Sequence, residues 1–352
     1  MKYVQVVLGS IPGGIEILIP NIVIQLGKDD CCIFEIYNKC SKDRGVFAGY
    51  DFSIVKGSDA FVPAFIKLFC FARKNSGAVF HGYNIGPIFL VALRLAGVGQ
   101  IVYSIHGTKY WRNALQKAIR WPLWILAIKG ARNLDFIANT EYSKRKFIEQ
   151  VCHKAAPMVV YNPINTEKFF YVREFYTGLP KRISYAGRLN VGKNLKLWLC
   201  VAAKLKERLP DVMFDIWGDG PQKEELVRQV QGLGLQDCVV FHGYTSEIES
   251  TYRRSDLFLF LSEYESFGNV VVESILAGTP VLCADIPSMR EIFRDYPEFL
   301  LDKSQDFANQ VVSKLINYDK LVNQTQSAQK EFVCRYSIEN HIGQLRRVYK
   351  EG

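Results

Sequence analysis

Residues 182–194 read RISYAGRLNVGKN, and this stretch decides how the chain is built. Arg182–Ala186 is a short, largely apolar run typical of a strand, and Gly187 ends it. The following residues, Asn194–Leu209, have helical character and are closed by Pro210. A strand, a glycine turn and a helix in this order form the repeating unit of a parallel α/β sheet.

The same order extends in both directions along the chain. The predicted strands are Tyr3–Leu8, Cys31–Tyr37, Ala78–Phe80, Gln100–Ile105, Arg182–Ala186, Met213–Trp217, Val239–His242, Leu257–Leu261 and Pro280–Ala284. The predicted helices include Ile15–Leu26, Asn194–Leu209, Gln222–Leu233 and Ser337–Tyr349. Two such series in 352 residues predict an α/β protein with two Rossmann-like, doubly wound domains. The seam is expected near Asn162-Pro163, which gives domains of residues 1–165 and 166–334.

The charge of the chain is concentrated in its first half. The net charge is +9, and residues 1–165 hold 20 Lys and Arg against 10 Asp and Glu, whereas the remainder holds 24 against 25. The first half is therefore expected to face an anionic partner, such as a nucleic acid, a membrane surface or a phosphorylated substrate.

Composition excludes several classes of protein. The sequence contains no run of 18 or more uncharged apolar residues, so no transmembrane helix is predicted. The first residues do not form a signal peptide pattern. The nine cysteines show neither a CxxC pair nor zinc-ligand spacing, so we interpret them as reduced thiols in a cytoplasmic protein.

Two loops of the first half carry candidate binding residues, because ligands of doubly wound sheets bind at the carboxyl ends of strands. The first predicted strand leads into Gly13 and Gly14 and then a helix, where main-chain N–H groups can approach a phosphate. His106 follows the strand Gln100–Ile105 directly and can project into a cleft. A plain turn for the glycines and a capping or buried role for His106 are the alternatives.

The second half carries the more specific pattern. Arg188 and Lys193 flank one turn and together could neutralise a diphosphate without a metal ion. Glu265 precedes a predicted helix and Glu273 lies inside it, eight residues or a little more than two turns after Glu265, so both can face one groove. The N–H groups of the first turn, from Phe267, Gly268 and Asn269, would point at the contents of that groove.

In their order along the chain, these residues resemble the retaining GT-B glycosyltransferases, and more narrowly the bacterial glycosyl transferases group one family. The resemblance is carried by Gly13-Gly14-Ile15-Glu16, His106, Gly187-Arg188 with Lys193, and Glu265-x7-Glu273. It implies two Rossmann-like domains facing across a cleft, the first completed by a C-terminal helix in residues 335–352.

The resemblance also implies a role for each candidate. Glu273 would hold the ribose of a nucleotide sugar, Arg188 and Lys193 its diphosphate, and Glu265 with the amides after it the donor sugar and phosphate. His106 would touch the sugar near its anomeric carbon, and Gly14 would let the first loop close over the phosphate. Gly218, Gly243 and Tyr244 would border the base, and Gly187 is also expected to be among the residues that bind the nucleotide sugar.

The implied activity is transfer of a hexose or N-acetylhexosamine, with retention, from a UDP-sugar or, second, GDP-mannose. The acceptor would be a glycan or a lipid-linked oligosaccharide in bacterial surface polysaccharide synthesis. No Asp-x-Asp pair occurs, so neither a metal clamp nor a cofactor is expected. The alternatives are a nucleotide-sugar epimerase of the same fold and a non-catalytic, membrane-associated partner of a polysaccharide assembly complex.

Residues 109–132 combine basic residues with tryptophans. On a helical wheel Lys117 and Arg120 lie opposite Leu115 and Ala118, and Pro122 is expected to start a second run, Leu123–Ile128. A basic amphipathic helix of this kind can lie on an anionic membrane at the inner face of the cell membrane, and a core helix with a solvated basic face is the alternative. A nucleic-acid partner is not expected, because the polar groups converge on one small site.

Overall fold

The computed structural model describes residues 1–9, 14–37, 46–47, 49–111, 113–173 and 178–350. The strands are β1 (Tyr3–Val7), β2 (Cys31–Glu35), β3 (Ser53–Lys56), β4 (Val79–Tyr83), β5 (Gln100–Ile105), β6 (Leu134–Ala138), β7 (Met158–Val159), β8 (Arg182–Ala186), β9 (Met213–Trp217), β10 (Val239–Gly243), β11 (Leu257–Phe260), β12 (Val281–Ala284) and β13 (Leu300–Leu301).

The α-helices alternate with these strands. They are α1 (Ile19–Leu26), α2 (Phe61–Lys74), α3 (Pro87–Leu95), α4 (Ala114–Ile128), α5 (Glu141–Gln150), α6 (Thr166–Phe169), α7 (Leu195–Arg208), α8 (Lys223–Gly232), α9 (Ile248–Arg254), α10 (Asn269–Leu276), α11 (Pro287–Ile292), α12 (Phe307–Leu315), α13 (Tyr318–Arg335) and α14 (Ile338–Val348). Short 3₁₀ helices occupy Glu16–Leu18, Val191–Lys193 and Pro297–Phe299.

The chain forms two compact units. One consists of Met1–Pro163 together with Ile338–Gly352, and the other of Ile164–Ser337. Each unit is built on one parallel sheet, with strand order β3-β2-β1-β4-β5-β6-β7 in the first and β10-β9-β8-β11-β12-β13 in the second. The predicted α/β class with two doubly wound sheets is confirmed.

The first sheet is covered on both faces, which explains why every residue of its central strand β1 is buried. Side chains alternate across β1: Val4 and Val6 join a core with helices α2 to α5, whereas Tyr3 and Val7 join a core with α1 and α14. The last helix of the chain therefore completes the core on one face of the first unit.

Pro122 does not divide the helix in which it lies, so the prediction of a separate run from Leu123 was wrong. Helix α4 continues from Ala114 to Ile128 with Pro122 inside it. Proline lacks the N–H that would bond to the carbonyl of Ala118. Because Ala118 and Pro122 are both exposed, water can reach that carbonyl instead.

The C-terminal end of α4 is fixed from its neighbour α3. The Nη1 atom of Arg94 donates to the carbonyl oxygens of Leu126 at 2.6 Å, Ala127 at 3.0 Å and Lys129 at 3.2 Å. A cation at carbonyls that lack a helical partner stabilises a helix end.

Among the described residues, no helix combines the length and the apolar character needed to cross a bilayer.

Candidate active site

The second sheet contains a switch in strand order that creates a place for a ligand. From β8 the chain proceeds outward to β9 and β10 on one side, and β11 on the other side continues to β12 and β13. In open parallel sheets, ligands bind beyond the carboxyl ends of the strands at this switch point. The two loops that start there follow β8 and β11, and these are the loops that hold Arg188, Lys193 and Glu265.

The glycines after β8, β9 and β10 bring three loops into close contact. The N–H of Gly187 donates to the carbonyl of Trp217 at 3.0 Å, and the N–H of Gly218 donates to the carbonyl of Gly243 at 2.7 Å. A Cβ on Gly218 would lie 2.0 Å from the carbonyl oxygen of Gly187, and the φ angle of Gly218 is 123°. Only glycine fits there. Tyr244 follows Gly243 and is 71% exposed.

Lys193 and Glu265 form an ion pair that joins the β8 loop to the β11 loop. Both side chains are largely buried, with 21% and 15% of their surface exposed, and the Lys193 ammonium lies 5.3 Å from the ring centroid of Phe260. The main chain supports this connection, because the N–H of Glu263 donates to the carbonyl of Gly192 at 3.1 Å. Each charge is therefore held in a defined position at the switch point.

Arg188 presents its guanidinium to solvent at the same edge. The residue is exposed, and none of the described residues forms an ion pair with it. Its carbonyl accepts a hydrogen bond of 3.3 Å from the hydroxyl of Tyr185, which fixes the main chain beneath the side chain. A planar cation with five N–H donors beside Lys193 suits a phosphate or diphosphate group.

Glu273 is held by a tyrosine that the sequence did not single out. The hydroxyl of Tyr252, on α9, donates to Oε2 of Glu273 at 3.0 Å. Burial raises the pKa of Glu273 to about 7, while the Tyr252 hydrogen bond and the charge of Lys168 act in the opposite direction. Lys168 in turn pairs with Glu249 at 3.1 Å. A carboxyl that ionises near neutrality can accept hydrogen bonds from ligand hydroxyls at physiological pH.

The start of α10 is shaped by a buried aromatic side chain. Phe267 is 1% exposed, and its ring packs edge-on against that of Tyr336 with centroids 5.5 Å apart. Gly268 caps the helix with a φ angle of 106°, and Asn269 is its first residue. The side chain of Phe267 thus anchors the loop, and only its main chain can serve the site.

In the first unit, His106 stands directly after β5. Its Nδ1 atom is buried and has no hydrogen-bond partner among the described residues. Burial, with a smaller contribution from His341, lowers the pKa of His106 to about 3, so the ring is neutral at pH 7. His106 lines a small cavity with Ile15, and Gly14 lies in the exposed turn just before that residue. Gly13 lies outside the described residues.

The structure thus groups most of the predicted candidates by unit. Those at the carboxyl edge of the second sheet and on α10 are Gly187, Arg188, Lys193, Gly218, Gly243, Tyr244, Glu265, Phe267, Gly268, Asn269 and Glu273. Gly14 and His106 belong to the first unit. Tyr252, Lys168 and His341 were missed, because no local pattern marks a residue whose contact is made by chain folding.

These two sheets define the GT-B class of fold. The protein matches the crystal structure of Anabaena Alr3699/HepE in complex with UDP and glucose. The match covers 100% of this chain and 100% of that chain, with a TM-score of 0.83 and 18% identity. Residues 175–331 match the family described as glycosyl transferases group 1, which confirms the predicted resemblance to that family.

Two of the curated relatives that match most of the chain illustrate the similarity. One is the UDP-Gal:alpha-D-GlcNAc-diphosphoundecaprenol alpha-1,3-galactosyltransferase of Escherichia coli, 25% identical over 82% of this chain and 79% of that protein. The other is the Vi polysaccharide biosynthesis protein VipC/TviE of Salmonella typhi, 27% identical over 73% of this chain and 47% of that protein. The chain spans half or less of the length of several curated relatives it matches.

Proposed function

We propose that the protein is a retaining glycosyltransferase that moves a hexose or N-acetylhexosamine from a nucleotide sugar to a glycan or lipid-linked oligosaccharide. The observation that carries the proposal is the set of charges at the switch point of the second sheet. Arg188, Lys193 and Glu265 lie on the two loops that begin there, and Glu273 lies on the helix that follows.

The charges suit the parts of a nucleoside diphosphate sugar. Glu273 would accept hydrogen bonds from the ribose hydroxyls, with Tyr252 holding one carboxyl oxygen in place. Arg188 would bind the diphosphate directly, and Lys193 would share its charge between Glu265 and the same group. Fixed cations stabilise the charge that develops on the leaving diphosphate without reorganising during the reaction.

The proposed reaction transfers the sugar on one face. The bond between the anomeric carbon and the diphosphate oxygen breaks, and the acceptor oxygen bonds to that carbon from the same side. The acceptor proton passes to the leaving phosphate oxygen, so atoms and charge balance without an enzyme nucleophile or a metal ion. His106, neutral at pH 7, would contact the sugar as a hydrogen-bonding group.

A UDP-sugar is the favoured donor, with GDP-mannose second. The Anabaena protein of the same fold was crystallised with UDP, and the name of the E. coli relative specifies UDP-Gal. That name also specifies an acceptor joined to diphosphoundecaprenol, a lipid. We propose a donor and an acceptor of these two kinds for this chain.

A lipid-linked acceptor requires the enzyme to work at a membrane surface, and α4 offers a contact for one. Leu115, Ile119 and Leu126 lie on one stripe of the helix and are 70%, 62% and 57% exposed. The interpretation of α4 as an ordinary core helix does not explain this stripe, because only Trp124 and Ala127 of the helix are buried. An exposed apolar stripe on a basic unit fits an anionic lipid surface.

The test begins with thermal unfolding in the presence of UDP, GDP, ADP and their common sugars. A ligand at about 100 times its Kd adds roughly 2.7 kcal/mol to the native state, which shifts the midpoint by several degrees. We expect a shift with UDP, followed by sugar transfer to a lipid diphosphate-linked saccharide with the anomeric configuration retained. No shift with any nucleotide would favour the non-catalytic alternative, and interconversion of free nucleotide sugars would favour an epimerase.

A further inference from the structure

The first unit contains a small, mostly apolar cavity that is lined by two histidines from distant parts of the chain. His106 follows β5, and His341 lies on α14, the helix that completes this unit. Both line a cavity with room for about one water molecule, together with Ile15, Tyr83 and Ser104. Both rings are neutral at pH 7, because burial lowers the pKa of His106 to about 3 and that of His341 to about 4.

The proton position on His341 follows from its hydrogen bond. Its Nδ1 atom lies 2.8 Å from the carbonyl oxygen of Tyr161, and a carbonyl oxygen only accepts. A neutral ring that donates from Nδ1 carries no proton on Nε2. The Nε2 atom of His341 is therefore an acceptor, and it is buried without a partner among the described residues. The residue as a whole is 7% exposed.

Two other polar side chains of the lining, those of Tyr83 and Ser104, are already engaged, and the remaining polar residues of the lining are Asn139 and Asn162. The hydroxyl of Tyr83 donates to Oε1 of Gln5 at 2.8 Å. Ser104 Oγ lies 2.6 Å from Nε2 of His81, whose Nδ1 lies 2.7 Å from the hydroxyl of Tyr349. Among the described histidines, the buried ring nitrogens that lack partners are Nδ1 of His106 and Nε2 of His341. Each of these buried atoms would carry the full penalty of lost hydration if it stayed unbonded.

We propose that one water molecule occupies this cavity and donates one hydrogen bond to Nε2 of His341 and the other to Nδ1 of His106. The bridge makes His341 a positioning residue for His106. It also holds His106 as the tautomer with its proton on Nε2, so that the ring presents an N–H donor away from the cavity. The sugar contact of His106 rests on the proposed function, but the bridge and the tautomer do not.

The tautomer can be measured in the free protein. In ¹⁵N-histidine-labelled protein, which has five histidines, we expect His106 to be a single neutral tautomer protonated on Nε2 and His341 one protonated on Nδ1. A crystal structure of the wild type should show one ordered water between the two rings. A proton on Nδ1 of His106, or two bonded rings with no water between them, would overturn the proposal.

Two substitutions separate the bridge from the attachment of the helix. H341N keeps an amide donor for the carbonyl of Tyr161 and loses the acceptor in the cavity. H341Q places an amide oxygen where Nε2 lies and loses the bond to Tyr161. We expect H341N to give a mixture of His106 tautomers and H341Q to keep the single one. The opposite ranking would assign His341 to helix attachment alone.

Activity gives a separate readout. H341N should lower kcat for sugar transfer by about tenfold with little change in nucleotide affinity, and H341Q should restore most of it. If H341N leaves His106 as a single tautomer, the water bridge is refuted, whether or not the protein transfers sugar. A tautomer change without any transfer in the wild type would refute the proposed function and leave the bridge standing.

Discussion

Tyr252 and Glu273 form a pair in which the buried phenol donates to the partly buried carboxyl across 3.0 Å. The two residues lie on neighbouring helices, α9 and α10, and burial raises the pKa of both, to about 7 for Glu273 and well above the usual value for Tyr252. The hydrogen bond favours the ionised carboxylate of Glu273 and opposes the effect of burial. The protonation of Glu273 is therefore balanced near neutral pH.

Removing the Tyr252 hydroxyl should weaken nucleotide binding in a pH-dependent way. In Y252F the pKa of Glu273 should rise further, so that less carboxylate is present at pH 7 to accept ribose hydroxyls. We expect UDP affinity to fall several-fold at pH 7 and to recover at higher pH, as measured by calorimetry. E273A should lose affinity at every pH. Unchanged affinity in E273A would remove Glu273 from the ribose role.

The stability of the unbound protein should depend on pH through Glu273. Its carboxyl has a pKa of about 7 when folded against a reference of 4.5, so the folded state holds a proton that the unfolded state has lost between these values. This contribution is fully present below pH 4.5 and is lost as the pH rises through 7, at about 1.4 kcal/mol for each pH unit. E273Q should flatten the slope in urea unfolding between pH 5 and 7. An unaltered slope would contradict the assignment.

Removing both cations of the β8 loop should selectively weaken the interaction of the enzyme with the diphosphate. With Arg188 and Lys193 replaced by alanine, we expect kcat to fall by about 10² or more, since each fixed donor at a developing charge contributes on that scale. Affinity for UDP should fall far more than affinity for uridine. The control is Lys196→Ala, which removes an exposed cation paired with Glu225 on the next helix. Full activity in the double variant would refute the diphosphate role.

The exposed stripe of α4 should determine binding to lipid. We expect Leu115→Gln with Ile119→Gln to abolish most flotation with vesicles that contain anionic lipid. Ile24→Gln is the control, because Ile24 is 51% exposed on a different helix of the same unit. Neutralising Lys117 and Arg120 should weaken binding by about 1 kcal/mol per charge and make it less sensitive to salt. Equal flotation of the stripe variant and wild type would refute the contact.

The strands were predictable because their burial is uniform. Gln100–Ile105, Arg182–Ala186 and Met213–Trp217 have the same bounds in the structure as in the sequence interpretation, since buried parallel strands are continuous apolar runs with clear turn signals at their ends. The helix through Pro122 was not predictable, because its continuation depends on whether water can reach the carbonyl of Ala118.

The positions of the candidate residues in the fold could be predicted only where their chemistry and their order along the chain coincide. Arg188, Lys193 and Glu265 lie on the loops that follow strands, where ligands of such sheets bind. The ion pair between Lys193 and Glu265 spans 72 positions, and His341 reaches the cavity of His106 from the far end of the chain. Such partners are fixed by tertiary packing and leave no local sequence signal.

The position of helix α14 in the sequence determines when the core of the first unit can be completed during synthesis. Ile342, Leu345, Val348 and Tyr349 belong to the same core as Tyr3 and Val7, yet every residue of Ile164–Ser337 is made between them. On the ribosome, the second unit is complete in sequence before the first has received its final helix. Until then, α1 covers only part of that face of the first sheet, and the completion of this core is a late event after the second unit is available to fold.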